Sequence, residues 1–166
     1  MIGRRSVLMA FGLLVTISIA SSAGAQKKLA PGADLRGADL QRADLSGVQL
    51  AGANLTGANL SGANLNGADL REAYLRNVKA VGADFTNAKL GNADLTRADL
   101  TEAVFRNANL MLATLDVARV AKTDFSNSLM AGVHMSKARV AEANFQKAVL
   151  SAANLSQSVF VDANFA

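Results

Sequence analysis

Large apolar residues recur at every fifth position of this chain, from Leu35 to Phe165, without an insertion or deletion. The 27 central positions hold 16 Leu, 6 Phe, 2 Met, 2 Val and one Ala. Two residues before each centre stands a small residue, which is Ala at 21 of the 27 positions. A period of five fits neither the 3.6 residues of an α-helical turn nor the two-residue alternation of a strand. Such regularity indicates a repeat architecture.

Each pentapeptide is predicted to form a very short strand followed by a corner. In an extended chain the central residue and the small residue two before it point to the same side, so both face inward. The residue between them points outward, as at Asp34, Asn54 and Asn64. The second residue after the centre is Gly eight times and Asn five times. Both residue types tolerate the positive φ that a type II turn requires, so the chain is predicted to wind into a coil.

Spacing within the repeat favours four pentapeptides in each coil over three. Residues 20 apart would then stack at about 4.8 Å, the spacing of neighbouring strands. Charges 20 apart in the outward slot alternate in sign along Lys79, Asp99 and Arg119, as cross-strand pairing prefers, and Arg139 after Arg119 is the one exception in that slot. The same spacing predicts an internal column of aromatic rings, formed by Phe85, Phe105, Phe125, Phe145 and Phe165.

The segments Ala-Asn-Leu-Thr-Gly, Ala-Asn-Leu-Ser-Gly and Ala-Asn-Leu-Asn-Gly at 53–67 resemble the A-(D/N)-L-x-x consensus of the pentapeptide-repeat family. The resemblance covers 33–165 and implies that family's all-β fold, a right-handed quadrilateral parallel β-helix, here of about 6.75 coils. At the centre of one repeat Ala80 replaces the large residue. Val78, at the small position beside it, is interpreted as making up part of the missing volume within the same layer. Other departures fall on the small position, at Val48, Thr123, Ser128, Val133 and Ser158.

The segment 1–25 has the pattern of a cleavable export signal, which is expected to be helical. Arg4 and Arg5 precede an apolar run, and small residues lead to a predicted cleavage between Ala25 and Gln26. The arginine pair also resembles a twin-arginine motif, so general secretory and twin-arginine export both stay open. The predicted location is the periplasm or the medium, or the thylakoid lumen if the source is a cyanobacterium. The remaining chain divides into a linker at 26–32 and a repeat domain at 33–166.

The charge and the residue types of the chain argue against nucleic-acid binding, catalysis and metal binding. Between 33 and 165 the chain has 13 Lys or Arg and 13 Asp or Glu, so the repeat lacks the clustered basic footprint that phosphate binding needs. The chain has no Cys and a single His, His134, in an outward slot. No phosphate loop, nucleophile elbow or metal-ligand spacing is present. The predictions are therefore a protein that is not an enzyme, has no metal or cofactor, and binds neither nucleic acid nor, after cleavage, membrane.

One outward column changes character along the rod, from Gln49, Asp69 and Lys89 to Leu129 and Val149. Contiguous exposed apolar residues often mark interaction surfaces. The candidate interaction patch is Met111, Leu112, Leu129, Ala131 and Val149.

The prediction is a non-catalytic exported scaffold that binds a protein partner or associates with itself, through this patch or through its C-terminal coil. Family resemblance also suggests an alternative, a DNA mimic that binds topoisomerases, as in quinolone-resistance members. The neutral repeat and the export signal disfavour that alternative, because those members work in the cytoplasm and present an acidic surface.

Overall fold

The computed structural model describes residues 29–166, so the predicted signal peptide and the first three residues of the linker, 26–28, lie outside the described residues. Within that range three segments form continuous strands: β1 (Arg119–Ala121), β2 (Arg139–Ala141) and β3 (Val159–Val161). They make one parallel sheet in the order β1-β2-β3. Elsewhere in the described chain each pentapeptide contributes a single paired residue, because the turns leave no room for a longer strand.

Pairing joins residues 20 apart along the rod, and every such pair is parallel. Arg119 pairs with Arg139, and the same register joins Asp34 to Asn54. The Leu35 N–H donates to the Asn54 carbonyl at 2.7 Å, and the Asn54 N–H donates back to the Ala33 carbonyl at 2.8 Å. These bonds recur in successive coils and join each coil to the next, as in a parallel β-helix. Each 20-residue coil contains four corners, one at every fifth residue.

The corners are built by residues with left-handed backbone conformations. Every residue at the second corner position, from Gly32 to Asp162, has positive φ, and most of these residues are not Gly. The turn after Leu35 is closed by a bond from the Ala38 N–H to the Leu35 carbonyl at 3.0 Å. Positive φ at the third residue and this closing bond are features of the type II turn.

Asp and Asn in the outward slot stabilise the corner that follows them. The Asn54 Oδ1 accepts a hydrogen bond from the Thr56 N–H at 3.1 Å, and the Asp84 Oδ1 accepts one from the Thr86 N–H at 2.8 Å. Short polar side chains that bond the backbone two residues later are typical turn formers. The preference for Asp and Asn before the central Leu therefore arises from the backbone rather than from chemistry at the surface.

The core is a stack of layers, each built from central Leu or Phe side chains and inward Ala methyl groups. Phe85 and Phe105 are fully buried, whereas Phe165 is half exposed, and rings of the column lie 4.6–5.1 Å apart. Ala80 and Val78 are both buried within one layer.

Two departures from Ala at the small position bury hydroxyl groups with partners. Thr123 Oγ1 donates to the Leu100 carbonyl at 2.8 Å, and Ser128 Oγ donates to the Phe125 carbonyl at 2.7 Å. Within the described chain no buried side-chain nitrogen or oxygen lacks a hydrogen bond. These polar replacements are therefore accommodated without an unsatisfied group in the core.

Candidate interaction surface

One face of the rod turns from polar to apolar along its length. Parallel pairing places Lys89 beside Asn109, Asn109 beside Leu129, and Leu129 beside Val149. Leu129 and Val149 are 45% and 44% exposed, because their outward slots point away from the core. Two apolar side chains thus lie on neighbouring coils, at the spacing of adjacent strands.

The adjoining corner extends this surface. Met111 and Leu112 are 43% and 56% exposed, and Ala131 is partly exposed one coil further on. The Leu112 side chain lies over the corner at Gly132, where a Cβ would come within 2.7 Å of Leu112 Cδ2. Gly132 therefore leaves the space that the Leu112 side chain occupies. We call the whole set the apolar patch, consisting of Met111, Leu112, Leu129, Ala131 and Val149.

The same column carries an ion pair nearer the N-terminal end. Arg71 binds Asp69 through two parallel bonds, Nε to Oδ1 at 2.8 Å and Nη2 to Oδ2 at 2.6 Å. The Arg71 hydrogen bonds lower the pKa of Asp69 against the effect of burial, and Lys89 adds a smaller attraction. Asp69 is only 5% exposed, so its outward slot is filled by a paired charge rather than by a free one.

Two further ion pairs join neighbouring coils at other corners. Arg76 binds Asp94, and Arg106 Nε lies 2.5 Å from Asp124 Oδ2. Burial opposes ionisation of Asp94, but hydrogen bonds from Thr96 and Arg76 outweigh it and lower the pKa. These carboxylates serve the rod itself, since their oxygens are already bonded to corner N–H groups and guanidinium groups.

The candidate chemical residues are dispersed in the structure. His134 is exposed and pairs through its backbone with Thr114 and Asn154 on neighbouring coils. Within residues 29–166 no three His, Cys, Asp or Glu side chains are grouped so that they could hold a metal ion. The described part of the chain also contains no helix with the length and hydropathy of a membrane span.

Several exposed apolar residues were missed by the sequence reasoning. Val117 is 47% exposed at the corner that follows Leu112 in the same coil, and Tyr74 is 51% exposed. In the last coil Val159 and Val161 are 60% and 50% exposed. A signal for Val117 was present, because it occupies a repeat position that Gly and Asn dominate elsewhere.

The pairing register and the repeated corners define this molecule as a parallel β-helix built from pentapeptides. The family model for pentapeptide repeats matches eight copies, at residues 30–57, 53–91, 81–116 and 143–166. The chain therefore belongs to the pentapeptide-repeat family, as its consensus segments predicted. No curated protein sequence matches it.

Solved structures of this family are similar to the chain. The pentapeptide repeat protein Rfr23 from the cyanobacterium Cyanothece 51142 is 30% identical, over 64% of this chain and 63% of that one, with a TM-score of 0.40. HetL, involved in heterocyst differentiation regulation in Nostoc sp. strain PCC 7120, is 33% identical over 80% and 66%, with a TM-score of 0.31. QnrB1, a plasmid-mediated fluoroquinolone resistance protein, is 19% identical over 75% and 68%, with a TM-score of 0.47. The chain spans less than two thirds of the length of Rfr23 and of HetL.

Proposed function

We propose that this protein is an exported, non-catalytic scaffold that binds another protein through the apolar patch. The observation that carries the proposal is the patch itself, in which Leu112, Leu129 and Val149 are each more than two-fifths exposed. An apolar surface of this kind, surrounded by polar side chains, is typical of a protein interaction site. Earlier in the same column the outward slots hold Gln49, Asp69 and Lys89, so the apolar character is confined to the C-terminal half of that face.

Export is supported by the signal-like sequence at 1–25. The exported form is then a right-handed quadrilateral β-helix with a short leading linker, an architecture that the four positive-φ corners in each 20-residue coil support. Sequencing the N-terminus of the protein from its source should give Gln26 as the first residue, in a fraction outside the cytoplasm. A cytoplasmic protein that retains the segment 1–25 would contradict export while leaving the interaction proposal intact.

A protein partner fits the surface better than mimicry of DNA does. Mimicry needs an extended array of negative charge, whereas residues 33–165 have equal numbers of acidic and basic side chains. Several carboxylates are already held by arginines, such as Asp69 by Arg71 and Asp124 by Arg106.

Capture from the exported fraction tests the proposal with a matched pair of variants. The double variant Leu129→Ser, Val149→Ser makes the two outward slots of the patch polar, and Asn59→Ser, Asn64→Ser changes outward slots in the N-terminal half. We expect a partner that binds the wild type and the control but not the patch variant. Equal capture by all three proteins would show that the patch is not the binding surface.

Self-association through the last coil is a second candidate. Phe165 is 50% exposed although it stacks on Phe145 at 4.9 Å, and Val159 and Val161 are also exposed. Sedimentation velocity should then detect a dimer that Phe165→Ser and Val161→Ser weaken. A monomer at concentrations near 1 mM, where even a weak contact of about 4 kcal/mol is half formed, would exclude it.

A further inference from the structure

Two corner residues stand apart from all the others. Leu112 and Val117 have φ of 58° and 61°, and they are the only large apolar residues among the left-handed corner positions of the described chain. Left-handed backbone is unfavourable for residues with a Cβ, and most of all for a β-branched residue such as Val. The sequence therefore carries two residues that their own turns disfavour.

Packing within the rod buries only about half of each of these side chains. Leu112 is 56% exposed and Val117 is 47% exposed, so about half of each remains in contact with water. The fold requires the left-handed conformation at every corner, so the unusual feature of these two corners is a large, half-exposed apolar side chain. Leu112 and Val117 lie at successive corners of one coil, with Thr114 on the face between them. The apolar patch together with Val117 is called the extended patch.

Unpaired positive charge borders the extended patch. Lys137 occupies the corner one coil beyond Val117, and Lys147 lies two residues before Val149. Among the described residues neither lysine forms an ion pair. The nearby Asp116 accepts a hydrogen bond from the Ser136 N–H at 2.7 Å, so one of its oxygens is already engaged by the rod.

We propose that the extended patch binds an acidic amphipathic segment of another protein, whose apolar side chains are flanked by Asp or Glu. The inference rests on the proposed function and specifies its partner. Leu112, Leu129 and Val149 would supply the apolar contact, and Lys137 and Lys147 would attract the flanking carboxylates. Complementary charge at the rim of an apolar contact sets specificity and the rate of association.

A second copy of this chain fits the extended patch less well. In a two-fold symmetric contact both copies use the same surface, so each would bring its lysine border to the contact. A membrane surface also fits less well, because more than half of Leu129 and of Val149 is covered by their neighbours in the rod. Proteins that rest on membranes commonly insert Trp or other large side chains; this chain has no Trp, and its one Tyr, Tyr74, lies two coils away from Thr114.

Selection from a display library of random peptides tests the chemistry of the partner. Peptides are selected on the wild-type protein and counter-selected on the double variant Leu112→Asn, Val117→Asn. We expect the enriched peptides to carry at least two large apolar residues and a net negative charge. Lys137→Glu with Lys147→Glu should weaken their binding by about 10-fold or more, and added salt should weaken binding to the wild type. Enrichment of neutral or basic peptides would overturn the proposal. Binding to either double variant that equals binding to the wild type would also overturn it.

The asparagine variants contain their own control for folding. Asn tolerates positive φ better than Leu or Val, so both substitutions should leave the melting temperature unchanged or raise it. Loss of peptide binding with an equal or higher melting temperature supports a binding role. A clear fall in melting temperature would show that Leu112 and Val117 serve the packing of the rod, and it would overturn the inference.

Two further measurements separate this inference from the proposed function. Co-sedimentation with vesicles of equal parts phosphatidylserine and phosphatidylcholine, or a dimer lost on Leu112→Asn, would overturn it in favour of lipid or of a second copy. A protein partner that depends on Leu129 but binds the Lys137→Glu, Lys147→Glu variant normally would also overturn it. In that last case the proposed scaffold function would still stand.

Discussion

Phe85 and Phe105 lie face to face, with ring centroids 4.6 Å apart and 2° between the ring planes, although they belong to successive coils of the rod. The stack continues through Phe125, Phe145 and Phe165 at separations of 4.9–5.1 Å. The rings thus follow the spacing of the coils rather than an edge-to-face geometry, because each is carried at the same place in successive layers.

Removing a ring from the middle of the column should be costly. Phe105→Ala is expected to lower the free energy of unfolding by about 3–5 kcal/mol, because the fully buried ring leaves a cavity between two others. Chemical denaturation followed by circular dichroism measures the change. Phe165→Ala is the matched control and should cost much less, since that ring is half exposed. Equal losses would contradict the layered core.

Left-handed corners predict opposite effects for two glycines that both have room for a methyl group. A Cβ at Gly57 meets nothing within 4 Å, but φ there is 68°, so Gly57→Ala should destabilise the rod by about 1 kcal/mol. Gly91 is not in the left-handed region, and its nearest contact would be an ordinary 3.7 Å. Gly91→Ala should therefore be neutral or stabilising by up to about 1 kcal/mol. Melting temperatures that fall equally for the two variants would contradict the conclusion that φ controls these positions.

In the layer that contains Val78 and Ala80, the volumes of these two side chains should compensate each other. Ala80→Leu alone is expected to overpack the layer and cost about 1–3 kcal/mol. Val78→Ala alone should cost about 1–2 kcal/mol from the two methyl groups removed. The double variant should be more stable than the sum of the two losses predicts, because each change compensates the other. Strict additivity in the unfolding free energies would refute this compensation of volume.

The Asp69–Arg71 pair predicts a particular pH dependence. Because Arg71 lowers the folded pKa of Asp69, the pair stabilises the protein above the unfolded pKa of about 3.9, and this contribution is lost as pH falls through the lower folded pKa. Arg71→Ala should therefore lower the melting temperature at pH 7, and the difference from wild type should shrink below pH 4. Arg36→Ala, beside the exposed Asp34, is the control and should have little effect at any pH. A difference for Arg71→Ala that is as large at pH 2 as at pH 7 would contradict this account.

The fold could be predicted from the sequence because one residue pattern repeats along the chain. The same backbone path is indicated by the inward Leu and Ala, by the outward Asp and Asn, and by Gly or Asn at the corner. The regular spacing of Phe85 and Phe105 then indicates how many repeats complete a coil. The ion pairs of the outward side chains could not be predicted, because the period does not specify the local geometry that decides which partner each side chain contacts. Arg71 reaches back two residues to Asp69, whereas Arg76 reaches across coils to Asp94.

The candidate surface was accessible only in part. Leu129 and Val149 stand out in a column that is polar elsewhere, so the sequence alone suggests that face. The importance of Val117 emerges only when the φ of its corner and its exposure are known together. The position of the Leu112 side chain over Gly132 likewise depends on a rotamer that no periodicity specifies.

Site-specific photo-crosslinking in the source cells tests the interaction account most directly. A photoreactive amino acid is placed at Leu129 and, as a control in the same column, at Gln49 near the opposite end of the rod. We expect a discrete crosslinked protein at position 129 and none at position 49. Absence of a crosslink at 129, or the same crosslinked product from both positions, would contradict a partner seated on the apolar patch.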